Sequence, residues 1–175
     1  MWIRFIKHLV KWLLFTKEED ILKEKTLSFR VCPTDIDYNL HLNNAKYLSF
    51  MDMGRFDLTF KSGMAKALIK NKWKVMAAAV NIIYRKQIAP FEKFDLVTRV
   101  LCWDDKWFYI EQDFVTKKGV AAKAIVKAGF VKNGLISPQE VVDKMGRSDV
   151  SPIMPNYLEE LIQGEKDFIK YTINN

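Results

Sequence analysis

Asp37, Asn39 and His41 place a carboxylate, a carboxamide and an imidazole at alternating positions of the stretch D-Y-N-L-H-L-N-N-A-K-Y, residues 37–47. In an extended segment, residues two apart point to the same side. The three groups are therefore expected to converge on one face, where they can take a proton, donate one or polarise a carbonyl. Asn43 and Asn44 follow directly, and both are good helix N-cap residues. A helix begun there aims unpaired backbone N–H groups and its positive dipole end at the same place. A base beside an oxyanion-stabilising helix start suits hydrolysis of an ester or thioester.

The pattern D-x-N-x-H-x-N-N-x-x-Y, followed by an apolar helix, resembles the hotdog-fold thioesterases. The likeness is to the branch holding the acyl-acyl-carrier-protein thioesterases and the 4-hydroxybenzoyl-CoA-thioesterase-like proteins. It is carried by residues 37–47, and more weakly at the level of fold by 25–134. The resemblance implies an α+β hotdog fold, a long antiparallel sheet wrapped around a central helix. It implies that Asp37 is catalytic, activating water or attacking the carbonyl directly, with Asn39 and His41 beside it; no cofactor is expected. It implies an acyl-CoA or acyl-carrier-protein substrate. It also implies active sites at a subunit interface, hence a homodimer or higher homo-oligomer. The further catalytic residue of the carrier-protein branch has no assigned counterpart in this chain. Leu40 stands where many bacterial CoA-type relatives have glycine.

Each residue also has a plainer reading. Asp37 can be a turn former, and nearby Asp35 is expected to be a capping or structural carboxylate. Asn39 either orients water and polarises the carbonyl or simply holds the loop. His41 is the only histidine outside the N-terminal segment, so imidazole chemistry in the domain must use it; otherwise it is a buried histidine bonded to backbone. Asn43, Asn44 and Tyr47 read as cap, loop pin and helix-to-loop contact, and with Met51 they are the residues expected next to substrate. Met51, Met53, Phe56, Phe60 and Met76 are large and adaptable, and predict an apolar pocket for a medium or long acyl chain. The competing reading is a non-catalytic acyl-binding or membrane-associated hotdog protein. A Cys32–His41 nucleophile pair has nothing else in its favour. There is no G-x-S-x-G elbow, P-loop or dinucleotide fingerprint, and no metal-ligand spacing.

The elements that must position these groups follow from periodicity. Thr26–Val31 is expected as a first strand. A helix from Asn44 to about Phe60 is apolar on most sides, which predicts burial at the centre of the fold. A short helix or connection spans Gly63–Lys72. Val75–Ile83 is an almost unbroken apolar run, expected as a strand buried on both faces, with helix as the alternative. Three strands joined by turns follow, over Leu96–Trp103, Trp107–Val115 and Val120–Lys132. In the last, Val120, Ala122, Ala124, Val126, Ala128 and Phe130 share a face opposite Lys123 and Lys127. Helices are predicted over Ser137–Met145 and Tyr157–Gln163. The expected organisation is an N-terminal helix and connector (1–24), the hotdog domain (25–134) and a C-terminal helical extension (135–175).

Residues 1–15 form an amphipathic helix with Arg4, Lys7, His8 and Lys11 on one basic face. Charge interrupts it too often for a transmembrane span, and it lacks the form of a signal peptide. Packing on the domain or on a partner subunit is the favoured reading. The other is peripheral membrane contact, basic face up. Residues 16–24 read as a connector with helical bias. A formal charge of +7 favours acidic partners such as the phosphates of CoA. The lysines are scattered and no nucleic-acid motif occurs, so nucleic acid is not an expected partner. Two unpaired cysteines, Cys32 and Cys102, fit a reducing, cytoplasmic setting, at a membrane's inner face if the N-terminal helix binds lipid.

Overall fold

Burial alternates along the central strands, and that alternation sets the two faces of the sheet. In β3 (Lys93–Trp103), Phe94, Leu96, Thr98 and Val100 are buried while their neighbours are more open. The structure, a computed structural model, describes residues 2–15 and 17–173. The sheet is antiparallel, in the order β1 (Lys25–Arg30), β3, β4 (Phe108–Thr116), β5 (Gly119–Val131), β2 (Lys74–Tyr84). The short β6 (Leu135–Ile136), which lacks the length for a periodic signal, pairs with β5. Its inner face wraps α2 (Asn44–Lys61), burying Tyr47, Phe50, Met51, Met53, Gly54 and Leu58. This is the hotdog arrangement. The expected apolar face of β5 holds: Ala122, Ala124, Val126, Ala128 and Phe130 are all buried.

α2 lies close to the sheet because residue 54 is glycine. A Cβ there would sit 2.5 Å from Thr98 Oγ1, 2.6 Å from Gln112 Nε2 and 2.9 Å from Leu96 Cδ2. Gln112, wholly buried, donates to the Met51 carbonyl and to Thr98 Oγ1. Its Oε1 accepts from Arg55 Nη1. This buried amide thus ties helix to sheet with its polar atoms satisfied.

Several expectations are corrected. β2 is a strand, but not a doubly buried one. It is the sheet's last strand, and in the isolated chain most of its residues are exposed. An unbroken apolar run reports that both faces are to be covered; it does not say whether the same chain covers them. Met51 and Met53 belong to the packed core, not to an open cavity. Residues 17–24 carry no helix; Asp20 there accepts the Leu22 and Lys25 donors, local bonds that compete with helix. The last helix, α5 (Asn156–Ile173), is longer than its apolar period suggested.

α1 (Trp2–Phe15) packs on α2, in line with the protein-packing reading. Trp12 is buried, donates through Nε1 to Asp57 Oδ1 (2.7 Å) and stacks on Phe60. Phe5 meets Phe56 edge-on. Of the expected basic face, Lys7 is exposed, and the Lys11 side chain lies outside what the structure describes. Arg4 turns into the fold, and His8 lies half-buried against Trp12 and Phe29. Among the described residues, no helix is long and apolar enough to cross a membrane. α3 (Met64–Asn71) packs on α2, and α4 (Pro138–Lys144) packs on α3, burying Val141 and Val142.

Gly54→Ala should lower stability by about 1–3 kcal/mol, the usual cost of overpacking. This would occur although alanine favours helix by about 1 kcal/mol. Urea unfolding of the two proteins measures it; an unchanged or raised midpoint would refute the close approach.

Candidate active site

The chain from Val31 to Asn43 is built around one buried carboxylate. Asp35 ends a turn of 3-10 helix, Pro33–Asp35, and is fully buried. Its Oδ2 accepts the Cys32 backbone N–H (2.9 Å) and lies 2.8 Å from Arg4 Nη1. Its carbonyl accepts the Asn43 N–H (2.9 Å). Arg4 Nη2 also donates to the Arg30 carbonyl and to Cys32 Sγ, and the guanidinium lies over the Phe50 ring. The structural role expected of Asp35 is the one observed. Its partner on α1 carried no sequence signal beyond a charge among apolar residues.

Asp37 to His41 is a reversal, not an extended segment. Ile36 and Leu42 form an isolated antiparallel bridge. Inside it, Asp37 N–H donates to the His41 carbonyl and Leu40 N–H to the Asp37 carbonyl, both at 3.1 Å. Leu40 sits at φ 58°, the left-handed region that glycine occupies most easily. Asp37 Oδ1 accepts the Asn39 N–H (2.9 Å), which closes a side-chain turn. Alternation therefore fails here. Asp37 and His41 meet because the chain doubles back: Asp37 Oδ2 lies 3.5 Å from His41 Nδ1. The side chains are 13 % and 19 % exposed. The exposed Asn39 supplies its backbone N–H to the pair.

His41 Nδ1 also lies 3.4 Å from the Leu42 carbonyl. Two acceptors at Nδ1 call for a proton on that nitrogen, which leaves Nε2 as the ring's acceptor in the neutral form. Asn43 is the N-cap of α2, its Oδ1 accepting the Ala45 N–H at 2.8 Å. The helix start thus stands beside the Asp37–His41 pair, as expected. His41, Asn44, Tyr47, Tyr84, Arg85 and Lys86 line a cleft of about 260 Å³. The Tyr47 ring is buried against Tyr84 and Phe114. Burial, then Tyr84 and Glu92, push its hydroxyl up to about 12, so it stays a neutral donor. Met51 lies in the core away from this cleft. Arg85 and Lys86 reach the cleft from the loop after β2; no motif marked them. The described residues contain no cluster of His, Cys, Asp and Glu suited to a metal.

Residues 31–155, from the buried-carboxylate loop to the threshold of α5, match the family model of the thioesterase-like superfamily. The chain belongs to this superfamily. Protein THEM6 of Xenopus laevis is 37% identical over 155 residues, covering 87% of this chain and 70% of that protein. A probable thioesterase of Saccharomyces cerevisiae, YBR096W, is 29% identical over 119 residues, 65% of this chain and 51% of its own length. Among solved structures, the 4-hydroxybenzoyl CoA thioesterase from Pseudomonas sp. strain CBS-3 superposes with a TM-score of 0.61 at 14% identity. That match covers 70% of this chain and 99% of that one, and shares the fold. In this member of the thioesterase-like superfamily, α1 lies outside the matched stretch yet supplies the cation on Asp35.

Removing that cation leaves a buried carboxylate unpaired. Arg4→Met should cost about 3 kcal/mol, at the low end for a buried pair because Arg4 is partly exposed. Adding Asp35→Asn should restore part of the loss, because the charge that lacked a partner is then gone. Denaturant midpoints of the single and double variants test this. A double variant no more stable than Arg4→Met alone would contradict the pairing.

Proposed function

We propose that this chain hydrolyses acyl thioesters, with Asp37 as the catalytic carboxylate. The observation that carries the reading is the Asp37–His41 pair held at the start of α2, in a fold of the thioesterase-like superfamily. Asp37 takes the proton from a water attacking the thioester carbon. The C–S bond then breaks and Asp37 returns the proton to the leaving sulfur, giving free acid and thiol. His41, its Nδ1–H directed at Asp37 and Leu42, orients the carboxylate. At the first turn of α2 the Ala45 and Lys46 N–H groups are bonded to Asn43, and the Asn44 N–H, with the positive end of the helix dipole, stabilises the oxyanion. Asn39 holds the loop through its backbone. Asn43 and Asn44 set the helix start, and Tyr47 walls the cleft. Arg85 and Lys86 at the rim suit the phosphates of an acyl-CoA or a carrier-protein arm.

The acyl chain needs an apolar site, and one exists at the other end of β2. Phe56, Phe60, Leu68, Ile69, Val75 and Ala77 line a cavity of about 300 Å³. Val75 and Tyr84 are nine residues apart along β2, about 30 Å at the usual rise. Within one chain the cavity therefore lies too far from Asp37 to serve it. Antiparallel pairing of β2 with β2 of a second copy removes the distance. It sets the start of one strand beside the end of the other, and one chain's cavity beside the other chain's Asp37. The free, apolar, eleven-residue edge supports this homodimer. The pocket then differs from the expected one: Phe56 and Phe60 line it, whereas Met51 and Met53 do not.

On a panel of acyl-CoA esters, kcat/KM should be higher for octanoyl or longer chains than for acetyl. Asp37→Asn should lower kcat by about 10²–10⁴, the usual worth of a general acid–base group, with melting temperature nearly unchanged. Near-normal turnover in that variant would refute the assignment. Ala78 stands in the β2 bulge, outside the ladder to β5. Ala78→Pro should therefore leave the monomer folded and block pairing on the free edge. A monomer that keeps full turnover would show that the site needs no second copy.

A further inference from the structure

The cavity beside Val75 is not apolar throughout. Asp52, Arg55 and Thr59 fall three and four positions apart on α2, so they share one face, and all three line it. The Arg55 side chain is 16% exposed. Burial draws its pKa below the usual guanidinium range, with Asp52 pulling the other way; it keeps its charge all the same. Nη1 donates to Gln112 Oε1 at 2.9 Å and Nη2 to Asp52 Oδ1. Those bonds use two of the five N–H donors a guanidinium carries. Thr59 Oγ1 donates to the Arg55 carbonyl at 2.8 Å, which leaves that oxygen as an acceptor toward the cavity. Satisfying Gln112 needs only one neutral donor. A cation with donors to spare on the wall of a mostly apolar cavity is costly unless something there uses them.

α2 runs opposite to β2. Tyr47 meets Tyr84 at one end, and Phe60 shares the cavity with Val75 and Ala77 at the other. In the β2-paired dimer, the Asp37 of the second copy stands at the Val75 end. An acyl chain attached there enters past Phe60 and advances along α2 toward Arg55 and Asp52. The helix covers about 7.5 Å from Phe60 to Arg55, and about 12 Å from Phe60 to Asp52. The polar face therefore meets the distal part of the chain, away from the thioester. We propose that Asp52, Arg55 and Thr59 recognise a hydroxyl on the distal part of the acyl group, which makes hydroxylated acyl thioesters the substrate class. This rests on the thioesterase reading and its paired pocket. A hydroxyl matches the site because it both accepts and donates: it takes an N–H from Arg55 and gives its proton to Asp52 or Thr59 Oγ1. A carboxylate matches less well, since it sets a second anion on a cation that Asp52 already shares. A plain methyl end leaves the spare donors of Arg55 without a partner.

Steady-state hydrolysis of ω-hydroxyacyl-CoA esters and their unsubstituted parents, hexanoyl to dodecanoyl, tests the site, the series setting the hydroxyl at different depths. At the best chain length, the wild-type kcat/KM should favour the hydroxylated ester at least about tenfold. Arg55→Met should bring that ratio close to one. A purely structural Arg55 would lower both substrates together and leave the ratio in place. If Arg55→Met fails to fold, Asp52→Leu, which spares the bond between Arg55 and Gln112, should reduce the ratio in the same direction. A wild-type ratio near or below one, or a high ratio that neither variant moves, overturns the proposal while the thioesterase reading stands. If the wild type hydrolyses none of the esters, the thioesterase reading fails, and calorimetry with the free acids decides the site. An ω-hydroxy acid that binds more tightly than its parent fatty acid upholds it; one that binds no more tightly overturns it too.

Discussion

A buried carboxylate holds the loop on which the site is built. Asp35 is fully buried, so protein groups must stabilise its charge. Cys32 N–H and Arg4 do so at Oδ2, and in doing so they fix the turn that precedes Ile36. The Asp35 carbonyl then anchors Asn43, the cap of α2. One residue thereby sets both ends of the reversal that brings Asp37 to His41. A pair 3.5 Å apart on a five-residue turn needs this framing, because backbone hydrogen bonds within the turn are few. The same ion pair ties α1 to the loop. An N-terminal helix that looks like an appendage in sequence thus becomes part of the site's scaffold.

The second constraint is the approach of α2 to the sheet. Gly54 allows it, and Gln112 turns the contact into a polar lock with Thr98, Arg55 and the Met51 carbonyl. Such a network is stabilising only when complete, since a buried amide left without partners costs more than an apolar side chain would. The helix is therefore held in rotation as well as in distance. That rotation sends Tyr47 toward Tyr84 and the cleft, and Phe56 and Phe60 toward α1 and the apolar cavity.

The exposed edge of β2 links architecture to assembly. Eleven residues with an open ladder and apolar side chains on both faces are a surface that soluble proteins normally cover. The cleft beside His41 and the apolar cavity lie at opposite ends of this one strand. In the β2-paired dimer proposed above, the two ends come from different chains and lie side by side.

The order of helix, buried centre and strands was legible in the sequence because period and turn chemistry are local. The apolar-all-round stretch after Asn44 marks a helix at the middle of the fold, and the alternation of Val120–Phe130 marks a half-covered strand. The cluster from Asp37 to Tyr47 marked the candidate site, because these residue types can take, donate and position protons. Asn43 as cap and Asp35 as structural carboxylate also followed from local rules. What local rules could not reach was decided by distance in space. The extended alternation of Asp37, Asn39 and His41 gave way to a reversal, because Asp37 spends an oxygen on its own turn and Leu40 adopts a left-handed backbone. The inward turn of Arg4 depends on Asp35, thirty-one positions away in the chain. The apolar run of β2 stated that its surface is to be covered. Only the tertiary structure shows that this chain leaves it open, since coverage is a property of neighbours and not of the strand.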